Sequence, residues 1–184
     1  MRRVLSVLIL TVISFSGFSQ MYKSYLLFGK MVKGRDILTG YFRFDNEIVN
    51  QRQIVHYRES WRGEEVKLYA NKYDYFESDS IYMETVPYGL GGGLMIPRII
   101  NGKIQLFEVL IEGRYYLHFD GNENIYAKKG GVKMRIRKSK FKKQMHELLA
   151  DDPSLLEKID NDELKFENIK EIILAYNNNF ATQL

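Results

Sequence analysis

The chain has 184 residues, 45% of them hydrophobic and 27% charged, with a formal net charge of +4 at pH 7. It has no cysteine, which excludes disulfides, thiol catalysis, cysteine metal sites and thiol redox motifs. With 27 Lys and Arg against 23 Asp and Glu, the placing of charge says more about partners than its sum does.

The N-terminus reads as a signal peptide over residues 1–19. Arg2 and Arg3 precede an apolar run from Val4 to Phe15, and Gly17-Phe18-Ser19 puts small residues where a signal peptidase cuts. An uncleaved anchor is the alternative, but the run falls short of the roughly 20 apolar residues that span a bilayer. The expectation is an exported chain, placed in the periplasm, at the outer membrane or outside the cell. Residues 20–184 then form a single β-rich domain that is not transmembrane, long enough to bury roughly 70% of its extended-chain surface. No cysteine follows the cut, so a lipid anchor is not expected.

Residues 22–28 predict a first strand, with a turn at Lys33-Gly34-Arg35-Asp36. Ile37–Phe44 predicts a second, ended by Asp45-Asn46. Gln53–Tyr57, Glu65–Tyr69 and Ser80–Val86 follow, the last stopped by Pro87, while Tyr73–Phe76 is ambiguous. Gly89 to Gly93 reads as a flexible connection; it lacks the Lys-Ser/Thr of a phosphate loop and opens no helix. Ile104–Glu112 and Arg114–Phe119 predict a hairpin around Gly113. Asn124–Ala127 and Val132–Ile136 continue the meander across the turns at Asp120 and Gly130-Gly131. Short turns between strands, with no alternating helices, argue for a curled or barrel-like antiparallel sheet over about 20–137.

The period then changes. Phe141, Met145, Leu148 and Leu149 make one helical stripe with Ser139 as its N-cap. Asp152-Pro153 restarts a second helix carrying Leu155, Leu156 and Ile159. Phe166, Ile169, Ile172, Ile173 and Tyr176 stripe a third, fraying at Asn177-Asn178-Asn179. The fold class is therefore α+β, with a tail of two to three short helices over 138–178 packed on the sheet by its apolar stripes.

The Gly34-Arg35-Asp36-Ile37 turn, the Phe107-Glu108-Val109-Leu110 and Tyr115-Tyr116-Leu117 strands, and the tail from Phe141 through Asp151-Asp152-Pro153 to Tyr176-Asn177 carry a resemblance. Together they resemble a family of uncharacterised exported proteins of Bacteroidota-type Gram-negative bacteria. In some relatives a similar module precedes an outer-membrane barrel. The resemblance implies an envelope location and brings no catalytic residue with it.

No catalytic constellation can be assembled from the spacing, and no cofactor is expected. His56, His118 and His146 are scattered, and the zinc-protease pattern begun at His146-Glu147 fails at Ala150. Asp120 to Asn124 lacks the Gly and Glu that a calcium loop needs at its sixth and twelfth positions. A non-enzymatic protein acting through surface contacts is the first reading; a hydrolase built from His56 or His118 and a distant carboxylate is a lesser one.

The strongest polar signal lies between residues 128 and 143, with nine basic residues and no acid. Lys133, Arg135 and Arg137 alternate with Val132, Met134 and Ile136, and Lys138 follows. These four are the candidate contacts for an anionic envelope surface, ligand or acidic protein. Nucleic acid is not expected, since no recognition motif is present. The competing account is internal: residues 151–171 hold eight acids and three lysines, so the tail can fold back and neutralise the segment.

Overall fold

The structure is a computed structural model and describes residues 26–88, 90–108 and 125–181. The expected signal peptide, the turn at Asp120 and the strands on either side of Gly113 beyond Glu108 lie outside these residues. Within them the fold is α+β: an antiparallel-rich, barrel-like sheet followed by C-terminal helices. By contacts the chain forms two compact units, divided between Met95 and Ile96.

The first unit contains β1 (Leu27–Lys33), β2 (Asp36–Val49), β3 (Arg52–Arg58), β4 (Val66–Tyr69), β5 (Tyr75–Glu77) and β6 (Tyr82–Tyr88). It also holds the first residues of β7 (Gly92–Ile100). The strands lie in the order β4-β3-β2-β1-β5-β6-β7, and Arg52 of β3 pairs in parallel with Gly93 of β7, which closes the curl. Alternation fixes the inner face, because side chains two apart on a strand share a side. Met31 stands opposite Leu38 and Phe76, and Phe44 opposite Val55. Phe42, Phe44 and Phe76 meet with ring centroids 4.8–5.2 Å apart at the centre of this core.

Three sequence expectations need correction here. Asp45-Asn46 does not end β2, which runs on to Val49 through a register shift between Phe44 and Ile48. The Asp45 and Glu47 carboxylates are met by Arg43 and Lys67, which removes the usual penalty for acids in a strand. Pro87 does not stop β6; it is exposed and one residue from the strand end, where proline is tolerated. The Gly-rich passage is no loose connection either. Gly91 turns the chain with φ +76°, and Gly92 opens β7, where an added Cβ would lie 1.8 Å from the Gln51 carbonyl oxygen. Leu94, Met95 and Ile96 follow as consecutive buried residues, a strand without the alternation that marks the others.

The second unit takes up the rest of β7 with β8 (Ile104–Glu108), β9 (Ile125–Lys129) and β10 (Val132–Ile136), each hydrogen-bonded to the next. Gly130 and Gly131 join β9 to β10 with φ +56° and +83°, the two left-handed positions of a tight hairpin turn. A 3₁₀ turn at Lys138–Lys140 leads into α1 (Phe141–Leu148); α2 (Pro153–Asp160), a second 3₁₀ turn (Phe166–Asn168) and α3 (Ile169–Ala181) follow. The three stripes are buried as expected, packing Met145, Leu149, Ile159, Ile173 and Tyr176 against Ile104, Leu106, Ala127 and Ile136.

Asp152 caps α2, its Oδ1 accepting from Leu155 N at 3.2 Å with Pro153 in the first turn. Ser139 does not cap α1: it sits inside the 3₁₀ turn, and Lys140 takes the cap position with no side-chain bond. Gln144 organises that corner instead, its Oε1 accepting from Arg137 N and its Nε2 donating to Arg135 O. Nor does α3 fray at Asn177. The Asn177 amide donates to Ile104 O and accepts from Ile104 N, both at 2.9 Å, as a strand residue would. Gly102 makes room for it, since a Cβ there would fall 2.5 Å from the Asn177 side chain.

Candidate anionic-ligand site

The basic segment divides along its length. Lys133 and Arg135 are half-buried and engaged within the fold, Lys133 lying 5.6 Å above the Phe107 ring. Val132, expected on the buried face, is exposed, so only Met134 and Ile136 follow the predicted alternation inward. Burial pushes the Tyr126 hydroxyl up, and the charges of Arg135 and Arg137 oppose that rise. Arg137 and Lys138 are exposed where β10 gives way to the tail.

Part of the charge is neutralised by the helices. Lys129 Nζ donates to Asp151 Oδ1 at 2.8 Å and to the Leu148 carbonyl at 2.6 Å, where the end of α1 favours a cation. Asp151 also accepts from Lys103 at 2.9 Å and from the Tyr176 hydroxyl. The Lys129 bond, with those from Lys103 and Tyr176, outweighs partial burial and holds the Asp151 carboxyl far below the usual aspartate range. Lys138 pairs with Glu167, and Lys142 with Asp162 at 2.8 Å; each lysine holds its acid below the ordinary value by hydrogen bonding to it.

The lysines at the end of the segment line a groove of about 390 Å³ between the head of α1 and the loop that enters α3. Phe141 and Phe166 form its floor, edge to face at 5.9 Å and almost fully buried. Five lysines (138, 140, 142, 143 and 165) and two acids (Asp162 and Glu167) line it. The loop's shape is set by Asp162, which takes φ +60° after α2, a conformation short polar side chains tolerate. Lys142 Nζ fastens it by donating to the Asp160 carbonyl at 3.1 Å. Lys165 is positioned through Asn168, whose Oδ1 accepts from Lys165 N at 3.0 Å. Among the described residues, no acid lies within ion-pair distance of Arg137, Lys140, Lys143 or Lys165.

Of the four contacts expected from sequence, the fold therefore brings only Lys138 into the groove. Lys133 and Arg135 lie farther up β10, and Arg137 stands exposed outside the lining. Lys140 and Lys143 were inside the basic run without being singled out. Lys165 was counted only in the acidic block; no local signal marks it, because the loop after α2 brings it to the lysines.

His56 is the other polar centre, and it lies in the first unit. It is 5% exposed, with Nδ1 2.7 Å from Glu65 Oε1. Its Nε2 approaches Asp45 Oδ2 (3.4 Å) and Glu47 Oε2 (3.3 Å) at angles that make no hydrogen bond. Each carboxylate is also held by a cation: Arg43 on Asp45, Lys67 on Glu47, and Arg43 and Arg58 on Glu65. Burial pushes the Glu65 carboxyl up, but the Arg58 and His56 hydrogen bonds outweigh it and hold the group low. The histidine–carboxylate pair anticipated for a hydrolase is thus present, yet both imidazole nitrogens face carboxylates and neither is turned to a substrate. His146 is exposed and bonds Asp160 at 2.9 Å, while His118 and the Asp120 turn lie outside the described residues. No group of three or more His, Cys, Asp or Glu among the described residues can hold a metal ion, and no helix among them is long and apolar enough to cross a membrane.

No family model, curated protein or solved structure matches this chain.

Proposed function

We propose that this chain is an exported, non-enzymatic binding module of the cell envelope that engages an anionic surface through its basic segment, residues 128–143. The observation that carries the reading is the surplus at the segment's end and beside it: Arg137, Lys140 and Lys143, with Lys165 from the loop after α2, have no acid within ion-pair distance among the described residues, while their neighbours Lys138 and Lys142 do. Long-range attraction of this kind concentrates an anionic partner at the surface. The charged end of the n-region, the apolar run and the cleavage-like Gly17-Phe18-Ser19 support export, as does the resemblance to exported envelope proteins. The blocked imidazole of His56 favours binding over hydrolysis.

The test is co-sedimentation of the mature protein with vesicles of phosphatidylglycerol and phosphatidylethanolamine, against neutral phosphatidylcholine. Binding is expected on the anionic vesicles at about 0.05 M salt and is expected to fall away at about 0.5 M, as screening shortens the reach of exposed charge. Arg137→Ser combined with Lys143→Ser is expected to weaken it more than Lys133→Ser combined with Arg135→Ser. Equal binding to both vesicle types, or none to either, sinks the proposal.

A further inference from the structure

We infer that the groove between the head of α1 and the Asp162–Glu167 loop is a discrete pocket for one phosphomonoester group. This rests on the reading of the basic segment as an anionic contact and narrows it from a surface to a site.

Charge comes first. Five lysines face two acids, and both acids are already occupied, Glu167 by Lys138 and Asp162 by Lys142. The pairs offset the two groups that would repel an anion; Lys140 and Lys143 have no acid within ion-pair distance among the described residues, and Lys165, which acts on Asp162 and Glu167 at longer range, keeps the lysines in excess of the acids. A phosphomonoester carries between −1.5 and −2 at neutral pH, with three acceptor oxygens, and lysine binds it as a compact point charge. A phosphodiester or a carboxylate brings a single charge to the same three ammonium groups. The groove therefore rewards the monoester over the diester even at matched surface charge, where a diffuse basic surface does not.

Support and size agree. Phe141 and Phe166 fix the floor from within the core, and Asn168 holds the Lys165 backbone. The three lysines thus spring from anchored positions, Lys140 on the turn into α1, Lys143 in the first turn of α1 itself, and Lys165 at the head of the 3₁₀ turn that leads into α3. A volume of about 390 Å³ falls at the small end of ligand sites, enough for a headgroup and its first carbons over the apolar floor.

The phosphoryl group has two possible sources, a lipid headgroup or a free phosphate, and the experiment separates them. The mature protein is tested on phosphatidic acid and phosphatidylglycerol vesicles matched for surface charge, and by titration with glycerol 1-phosphate while backbone amide resonances are followed. Tighter binding to phosphatidic acid, and saturable shifts confined to residues 138–143 and 162–168, support the pocket. Lys165→Ser is expected to weaken glycerol phosphate about fivefold, the order of one exposed charge pair, and to abolish the preference for phosphatidic acid with the melting temperature unchanged. Saturable glycerol phosphate binding without vesicle binding keeps the pocket, assigns it a free ligand and overturns the surface reading. Equal binding to the two charge-matched lipids, with no saturable shifts, overturns the pocket and leaves the surface reading standing.

Discussion

Asp151 is a junction of the second unit. One carboxylate accepts from two lysines and a tyrosine, tying the turn after β7, the end of β9, the end of α1 and the body of α3 to one point. Its native value lies below that of an unfolded aspartate, near 3.9. Its contribution to stability is therefore complete above that value and drains away as acid carries the pH down toward the native one. Lys103, bonded to Asp151, is raised, and so is Lys129, where the Asp151 bond overcomes burial; their share is lost only above the ordinary lysine range. Asp151→Asn is expected to cost about 1–2 kcal/mol at pH 7, a charged hydrogen-bond value discounted for a side chain 41% exposed. Urea melts at pH 7 and pH 3 check it, with the gap between variant and wild type narrowing at pH 3. Nothing in the sequence marks Asp151 apart from Asp152: adjacent acids before a proline announce a helix restart, and only the fold sends one to cap α2 and the other to Lys103 and Lys129. His56 is similar. Asp45 and Glu47 sit on β2 and Glu65 just before β4, and no linear spacing predicts that they meet His56.

At the scale of elements, the helices were the most legible part because each needs only its own period. Phe141, Met145, Leu148 and Leu149 declare a face, and that face is buried. Leu149, with 0% of its surface exposed, gives the direct test. Leu149→Asp is expected to cost several kcal/mol, comparable to the whole stability of a small domain, because a buried carboxylate finds no partner there; a melting temperature close to the wild-type value contradicts the packing described. The strands were legible where one face is wet, as in β2 and β10, and illegible in β7. Gly92 and Gly93 read as part of a flexible connection, and Leu94-Met95-Ile96 has no alternation to offer. What makes this stretch a strand is close approach: Gly92 fits against Gln51, and the Gln53 side chain accepts from Met95 N at 2.8 Å. Those partners are some 40 residues away in sequence, so the signal exists only after the strands have met.

For the molecule as a whole, sequence periodicity points to one change of character, at residue 137 where sheet yields to helix. The contacts divide the chain elsewhere, inside β7, between Met95 and Ile96. Periodicity reports local structure and contact reports which core a residue joins, so the two need not coincide. Met95 belongs with Met31 and Phe76, whereas Ile100 belongs with the helices. The candidate groove is assembled wholly within the second unit.

Asn177 gives the last helix a second task. The end of β8 at Ile104 lies past its last pairing with β7, and the Ile104 peptide groups that a neighbouring strand would use are taken by Asn177 instead. By offering an amide in place of that strand, α3 is expected to guard this edge against self-association. Asn177→Leu is expected to leave Ile104 N–H and C=O unpaired, to speed exchange of the Ile104 amide, and to raise light scattering on storage at millimolar concentration. Unchanged exchange at Ile104 would refute the guard, and unchanged scattering would show that the exposed slot recruits no partner. If the guard holds, the tail of this chain keeps copies apart as well as closing the fold.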